Sequence, residues 1–391
     1  MYIFSEDPPM KSKGHGLSVL LYNLFNGSGF PVRQWFSFMP AAGIRREDIS
    51  WSEQNAVTLL DPGFRIFHRF SRVSRLWNHL MFFAYLPRVL RDFRRHPSEA
   101  IFIPIGASAG ILYRIWLIQK LAKNPVWLYP VDDLQEISVR QNRKTSILVC
   151  RLLLANVARS AARIFAISDG LGNVFAGLSG KKAEIILPCF QRVDPVPRDN
   201  DKIGRGECVF VFTGGLSFLY NDSLLQFTNY LKTYARKFKL NCKVIVQTYS
   251  SRQQFDAIGF DTSVVEYRTA ESRDGLYKTY READAFVVPY SFDQRYEGVT
   301  TTSFPQKVAQ LIQLGKPLVV FGPAYGSVVH FFKEQSLDFV ITENTYEAFE
   351  HAVNRLTTAV DLPDLPGKYS DVYERNFSQS VCLAKLRTAA A

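Results

Sequence analysis

Apolar and polar positions follow a helical spacing in some segments of the chain and form short continuous runs in others. Residues 303–320, SFPQKVAQLIQLGKPLVV, show both patterns in succession. Apolar residues recur at helical spacing after Pro305, Gly315 can take the left-handed conformation that ends a helix, and Leu318–Phe321 is an apolar run. Ser303 is a suitable N-cap, and Pro305 suits a first helical turn. The pattern predicts a capped helix that leads into a buried strand of a parallel sheet.

The second half of the chain alternates in the same way. Short apolar runs that predict strands are separated by longer segments that predict helices, an order typical of a doubly wound parallel sheet. The predicted strands are Val209–Thr213, Lys243–Gln247, Val264–Tyr267, Ala285–Pro289 and Phe339–Ile341, and the predicted helices are Asn221 or Asp222 to about Phe238, Arg273–Glu282 and Tyr346–Thr358.

The first half is similar but less regular. A run rich in Pro, Asp, Asn and Gly at residues 191–206 predicts a linker between two α/β domains. A length of 391 residues also fits two domains. The predicted helices are Leu17–Phe25, 109–123 and 147–162, and the predicted strands are Arg33–Met39, Ala56–Leu60, Ile101–Ile105, Val126–Pro130 and Arg163–Ser168.

Composition narrows the class of protein. Apolar residues make up 47% and charged residues 21% of the chain, which is typical of a globular protein. Five cysteines, at positions 150, 189, 208, 242 and 382, are scattered without CxxC spacing. They favour reduced thiols in a cytoplasmic protein and argue against a disulfide framework or a zinc site. We expect no signal peptide and no transmembrane span, because the N-terminus lacks an apolar core and no run of 18 apolar residues occurs.

Positive charge is concentrated in the first half. Residues 1–190 hold 24 Lys and Arg against 13 Asp and Glu, so the whole net charge of +11 lies there. Residues 63–97 contain eight arginines and one acid, interleaved with aromatic residues. A basic amphipathic helix of this kind indicates contact with an anionic membrane surface. The alternative is a pair of ordinary surface helices whose apolar face is core. No nucleic-acid-binding motif occurs in the chain, so we expect no nucleic-acid partner.

Several residues of the second half fit phosphate chemistry. Lys307 lies in the first turn of the predicted helix, where the helix dipole disfavours a cation unless an anion binds there. Gly214 and Gly215 follow a strand and would let a diphosphate approach the backbone, although a tight turn also explains them. Arg268 and Arg273 follow another strand and could reach phosphate, or could be surface arginines.

Two carboxylates end a strand of the first half. Asp132 and Asp133 close the sequence VWLYPVDD, so at least one should project beyond the carboxyl end of the strand. One of them could bind an acceptor or act as a base. The alternative is that they cap the helix that follows.

Segments spread over nearly the whole chain resemble family 4 glycosyltransferases of the GT-B fold. FPQKVAQLIQLGKPLVV resembles the donor-site segment of that family. The other similar segments, in the family's order, are KGHGLS (13–18), ARIFAISDGLGNVF (162–175), VFVFTGGL (209–216), YREADAFVVPYS (280–291) and RNFSQSVCLAKL (375–386).

The resemblance implies an α/β protein with the GT-B fold, in which two Rossmann-like domains face each other across a cleft. Residues 1–195, with 370–391 crossing back, would bind the acceptor, and residues 205–369 would bind a nucleotide sugar. Retention of anomeric configuration, no metal and no cofactor would follow, with a UDP- or GDP-sugar as the donor.

The residue patterns and the resemblance together give candidates for single roles. Lys307, Asp132 and His15 are the catalytic candidates, and His15 could alternatively cap a helix. The candidates for donor binding are Gly14, Gly16, Gly214, Gly215, Arg268, Ser303, Phe304 and Gln310.

Two positions depart from the family pattern. Thr302 and Gln310 stand where many relatives carry glutamates. Gln310 can still bond ribose hydroxyls, whereas Thr302 supplies no carboxylate unless Glu297 fills that role.

We therefore expect a glycosyltransferase at the inner face of the cytoplasmic membrane, acting on a lipid-linked or surface-glycan acceptor of O-antigen, capsule or exopolysaccharide synthesis. The alternatives are a non-catalytic GT-B-like membrane or assembly protein, and an epimerase or phosphorylase on the same fold.

Overall fold

The chain folds into two compact α/β units. A computed structural model describes residues 1–10, 16–38, 57–59, 71–196, 206–269, 273–358 and 364–390. Unit 1 comprises Met1–Phe190, Thr302–Phe304 and Gln379–Ala391, and unit 2 comprises Gln191–Thr301 and Pro305–Ser378.

Unit 1 contains a seven-stranded parallel sheet in the order β3-β2-β1-β4-β5-β6-β7. The order reverses between β1 and β4, so a switch point lies there. The strands are β1 (Tyr2–Ser5), β2 (Gln34–Ser37), β3 (Val57–Leu59), β4 (Ile101–Ile105), β5 (Val126–Pro130), β6 (Arg163–Ala166) and β7 (Glu184–Ile185). The helices are α1 (Gly16–Phe25), α2 (Ser71–Arg95), α3 (Gly110–Leu121), α4 (Leu134–Arg140), α5 (Lys144–Ser160) and α6 (Asp169–Ser179).

Unit 2 contains a six-stranded parallel sheet in the order β10-β9-β8-β11-β12-β13, with its switch point between β8 and β11. The strands are β8 (Glu207–Thr213), β9 (Asn241–Thr248), β10 (Val265–Thr269), β11 (Ala285–Pro289), β12 (Leu318–Phe321) and β13 (Val340–Ile341). The helices are α7 (Asn221–Phe238), α8 (Arg252–Asp256), α9 (Arg273–Glu282), α10 (Glu297–Thr302), α11 (Gln306–Leu311), α12 (Ser327–Glu334), α13 (Tyr346–Thr358) and α14 (Leu365–Asn376). The last helix, α15 (Gln379–Ala390), groups with unit 1.

Both sheets are covered on both faces, as parallel sheets require. Every residue of β4, β5, β11 and β12 is buried, and β4 pairs with β5 from Ile101 opposite Val126 to Ile105 opposite Pro130. These four strands have the bounds that the sequence predicts, because uninterrupted apolar runs leave little choice of register or length.

The segment after β11 differs from the prediction. The chain forms α10 before α11, so Ser303 lies between two helices and is not an N-cap; Pro305 is the N-cap of α11. Residues 312–314 then form a 3₁₀ turn, and Gly315 ends it with a φ of +72°. The predicted glycine stop is confirmed, whereas the predicted helix start is wrong by two residues.

The arginine-rich stretch is described from Ser71 to Arg95, where it forms the single helix α2. Phe82, Val89 and Phe93 are buried, so most of the apolar face belongs to the core, as in the alternative interpretation. Leu80 and Phe83 differ, because each is 52% exposed. Among the residues that the structure describes, no helix combines the length and apolar composition that crossing a membrane requires.

Candidate functional site

The glycine loop of unit 2 lies at the switch point, directly after β8. The N–H of Gly214 donates to the carbonyl oxygen of Gln247 at 3.2 Å, and the N–H of Leu216 donates to Oγ of Ser250 at 3.0 Å. These bonds fix the loop that contains Gly214 and Gly215 against the end of β9. Ligands of open α/β sheets bind at such a carboxyl edge.

Lys307 lies at the same edge, since α11 and the 3₁₀ turn after it lead back to the amino end of β12. Its side chain is half-buried, and Nζ donates to Oε1 of the buried Gln310 at 3.3 Å. Burial lowers the pKa of Lys307, and no ion pair with a carboxylate is present within the described ranges. Unit 2 therefore holds a partly desolvated cation that lacks a counter-charge in the described part of the chain.

A second lysine, Lys316, has a different environment. Its side chain is buried, and Nζ donates to the carbonyl oxygens of Tyr280 at 3.0 Å, Arg281 at 2.9 Å and Ala283 at 2.6 Å. These carbonyls lie at the end of α9, so Lys316 caps that helix with a cation. The protein itself satisfies this charge, which indicates a structural role.

The loops that follow β11 and β12 also lie at this edge, and each has an acidic residue of a nearby helix beside it. Ser291, after β11, donates to Oδ2 of Asp222 at 2.5 Å. Tyr325, after β12, has a buried hydroxyl that makes no hydrogen bond to the residues described. Burial raises the pKa of Tyr325, and the charge of Glu297 raises it further. Glu297, at the start of α10, thus lies near this edge, whereas Thr302 at the end of α10 groups with unit 1.

Three of the predicted donor-binding residues have other surroundings. The Arg268 guanidinium donates to Glu282 at 2.8 Å and to Glu266 at 2.5 Å, and these carboxylates raise its pKa. Its charge is therefore already paired within unit 2. Ser303 and Phe304 group with unit 1, where Phe304 is buried.

In unit 1, the two aspartates after β5 differ in role. Asp133 is the N-cap of α4 and accepts the N–H of Glu136 at 3.0 Å, which is the structural alternative considered for this pair. The Asp132 carboxylate makes no hydrogen bond or ion pair within the described part of the chain. Burial, and then the charge of Asp133, raise the pKa of Asp132 to about 6.

Glu6, which the sequence pattern missed, lies at the same edge directly after β1. Burial raises the pKa of Glu6 to about 7, opposed by a hydrogen bond with Ser108 and by the charge of Arg114. Arg114 is itself buried, donates to Asn78 at 2.6 Å, and stacks over Phe38 with 3.9 Å from its Cζ to the ring centroid. Glu6, Ser108 and Asp132 follow β1, β4 and β5, three adjacent strands around the switch point.

Some of the predicted site residues lie outside the part of the chain that the structure describes. Gly14 and His15 lie outside the described residues, as does the side chain of Arg273. Gly16 is the exposed first residue of α1. No three His, Cys, Asp or Glu side chains within the described ranges group as metal ligands would.

Two doubly wound parallel-sheet units in this order define the GT-B fold of glycosyltransferases. No protein-family profile matches the chain, and no curated protein matches its sequence. Solved structures match over nearly its full length. HepE (Alr3699) of Anabaena, solved with UDP and glucose, has a TM-score of 0.63 at 12% identity, covering 99% of this chain and 98% of its own.

Trehalose-6-phosphate synthases are also similar. OtsA has a TM-score of 0.62 at 11% identity, covering 99% of this chain and 98% of its own. The synthase of Burkholderia multivorans has a TM-score of 0.58 at 12% identity, covering 100% of this chain and 98% of its own. These likenesses show the GT-B fold.

Proposed function

We propose that this chain is a glycosyltransferase that uses a nucleoside diphosphate sugar. Unit 2 would bind the donor, and unit 1 would bind the acceptor. The observation that carries this proposal is the partly desolvated Lys307 at the carboxyl edge of unit 2, beside a glycine loop at the switch point. A diphosphate supplies the missing counter-charge. In support, HepE was solved with UDP-glucose on the same fold.

The chemistry would use these residues in separate roles. The bond between the anomeric carbon and the β-phosphate oxygen breaks, and a bond to the acceptor oxygen forms. Lys307 would stabilise the negative charge that develops on the leaving diphosphate. The half-buried Asp132 would accept a hydrogen bond from the acceptor hydroxyl and so orient it, and the hydroxyl proton would pass to the leaving β-phosphate oxygen as the new bond forms. Retention of anomeric configuration and metal independence are part of the proposal, on the resemblance to family 4 enzymes.

The proposed acceptor is lipid-linked or a surface glycan, as in O-antigen, capsule or exopolysaccharide synthesis, met at the inner face of the cytoplasmic membrane. The support comes from α2. Leu80 and Phe83 are exposed, and Arg88 and Arg91 are exposed further along the same helix. Apolar side chains that enter the interface, together with arginines that meet anionic headgroups, are typical of peripheral membrane helices.

A second candidate is a non-catalytic protein of the same fold. Thr302 and Gln310 replace glutamates of the family pattern, and the Gln310 amide oxygen already accepts from Lys307. Such a protein would bind a nucleotide without turnover. An epimerase on the same fold would convert the donor sugar without needing an acceptor.

The test is a thermal-shift panel of UDP, GDP, CDP, ADP and dTDP on the wild type and on Lys307→Ala, with Lys333→Ala as a matched control, because Lys333 is exposed on α12. A ligand at 100 times its dissociation constant stabilises by about 2.7 kcal/mol. We expect one nucleotide to stabilise the wild type and the Lys333 variant, and Lys307→Ala much less. No shift with any nucleotide would refute the donor site. A shift without release of nucleoside diphosphate from the matching sugars would favour the non-catalytic candidate.

A further inference from the structure

An exposed aromatic side chain stands beside the glycine loop of unit 2. Tyr249 directly follows β9, the strand next to β8 on the side away from β11, and it is 80% exposed. Its hydroxyl makes no hydrogen bond to the residues that the structure describes. A large ring with so little packing in its own unit can meet a ligand at this edge without breaking internal contacts.

The ring of Tyr249 lies against Gly215. A Cβ added at Gly215 would be 2.7 Å from Cζ and 3.2 Å from Cε2 of the tyrosine, and closer still to its hydroxyl oxygen. Gly215, unlike Gly214, does not have a positive φ. The absence of a Cβ at Gly215 therefore allows the ring to lie this close to the glycine loop.

The backbone beneath the ring offers a donor. The N–H groups of Gly214 and Leu216 are both hydrogen-bonded, to Gln247 and to Ser250. The N–H of Gly215 makes no such bond to any described residue. A diphosphate that enters the loop can accept a hydrogen bond from this group, and the ring of Tyr249, which is 80% exposed, can move without disturbing the described core.

We infer that Tyr249 is a donor-binding residue whose ring moves off Gly215 and stacks on the nucleobase, while the Gly215 N–H binds the diphosphate. This inference rests on the proposed function. The base is the flat, aromatic part of the donor and the part that gains from stacking on a tyrosine. Because every base presents a flat aromatic face, Tyr249 would add affinity for the nucleotide without discriminating between uracil and guanine.

The experiment measures binding of UDP, of GDP and of inorganic pyrophosphate by calorimetry. The variants are Tyr249→Ala and Tyr249→Phe, with Phe238→Ala as a control, because Phe238 is also an exposed aromatic of unit 2 but ends α7. Loss of a base stack weakens binding by roughly 5- to 150-fold. We expect that loss for the nucleotide with Tyr249→Ala, unchanged pyrophosphate binding, and near wild-type binding of both ligands by Tyr249→Phe and Phe238→Ala.

The outcomes separate this inference from the proposed function. A wild type that binds neither UDP nor GDP would overturn both. A wild type that binds, with Tyr249→Ala equally tight or equally weakened for nucleotide and pyrophosphate, would overturn the role of Tyr249 alone. A spectroscopic check uses Tyr249→Trp. All five tryptophans of the chain lie before residue 128, so the new indole would be the sole one in unit 2. Stacking predicts extra quenching on nucleotide binding, and no extra quenching would contradict it.

Discussion

Two lysines of unit 2 allow a direct separation of stability from binding. We compare Lys316→Met with Lys307→Met, since methionine keeps the length of the apolar stem but removes the charge. Lys316 makes three bonds to backbone carbonyls, whereas the described contacts of Lys307 include one bond, to Gln310. The same substitution should therefore have opposite consequences at the two positions.

The magnitude for Lys316 follows from its three bonds. A hydrogen bond that involves a charged group contributes about 1.5–3 kcal/mol, and each buried carbonyl oxygen that loses its donor costs about 1–3 kcal/mol, so the loss of three such bonds amounts to roughly 3–9 kcal/mol. Part of this loss is offset, because a neutral methionine side chain, unlike a charged lysine, is buried without a desolvation penalty. We expect Lys316→Met to lower the free energy of unfolding of unit 2 by about 3–5 kcal/mol. For a unit of this size that corresponds to a fall in melting temperature of roughly 10 °C.

Lys307→Met should leave the melting temperature of the ligand-free protein unchanged or raise it. Burial lowers the pKa of Lys307, so the charged form already carries a desolvation penalty in the folded state. In the presence of the nucleotide, however, this variant should lose most of the thermal shift, whereas Lys316→Met should keep it.

The assay is calorimetric melting with and without the nucleotide, together with hydrogen exchange at the end of α9 and the start of β12. Exchange there should rise only in the Lys316 variant. A melting temperature of Lys316→Met within about 2 °C of the wild type would refute the reasoning about its three bonds. A large loss of stability in Lys307→Met would refute the proposal that this lysine binds an anionic ligand and does not stabilise the ligand-free protein.

Two further predictions concern unit 1. Burial raises the pKa of Glu6 from its ordinary 4.5 to about 7, so the folded state keeps a proton that the unfolded state releases, and the free energy of unfolding should fall as pH rises from about 4.5 to 7. In urea titrations across this range, Glu6→Gln should reduce that fall by roughly 1–3 kcal/mol and leave the similar contribution of Asp132 between pH 3.8 and about 6. An unchanged fall in the variant would contradict the burial of a protonated Glu6. Replacing the exposed Leu80 and Phe83 with serine should reduce co-sedimentation with anionic phosphatidylglycerol vesicles several-fold, because each CH₂ buried in the membrane contributes about 0.8 kcal/mol. The control, Phe238→Ser in unit 2, should bind the vesicles as the wild type does. Equal binding by both variants would exclude α2 as the membrane contact.

Much of the sheet architecture could be predicted from the sequence, because strands buried on both faces leave a continuous apolar run. β4, β5, β11 and β12 are such runs, and their predicted bounds are confirmed. α10 was not predicted, since its sequence, EGVTTT, has no apolar helical repeat and three β-branched threonines. With α10 missing, the polar Ser303 was the nearest plausible cap, and the start of α11 was misplaced.

The roles of the two lysines could not be predicted from the sequence. Lys316 lies between a glycine and a proline, a context that indicates an exposed turn. Its burial depends on the carbonyls of α9, which are more than 30 positions away along the chain. Lys307 was predicted from its position at a helix start. The contrast between its one bond to Gln310 and the three backbone carbonyls around Lys316 is a tertiary property that the sequence does not show.

Glu6 shows how one missed strand removes a site residue. β1 has four residues, Tyr2–Ser5, too short a run at the chain start for a pattern to stand out. In the sheet, β1 lies in the centre, beside β4, and its carboxyl end meets the switch point of unit 1. Once β1 is placed there, parallel pairing brings Glu6 to the edge that also carries Ser108 and Asp132. The candidate acceptor residues are thus set by strand order, and a sequence-based search for them has to begin by locating the central strand.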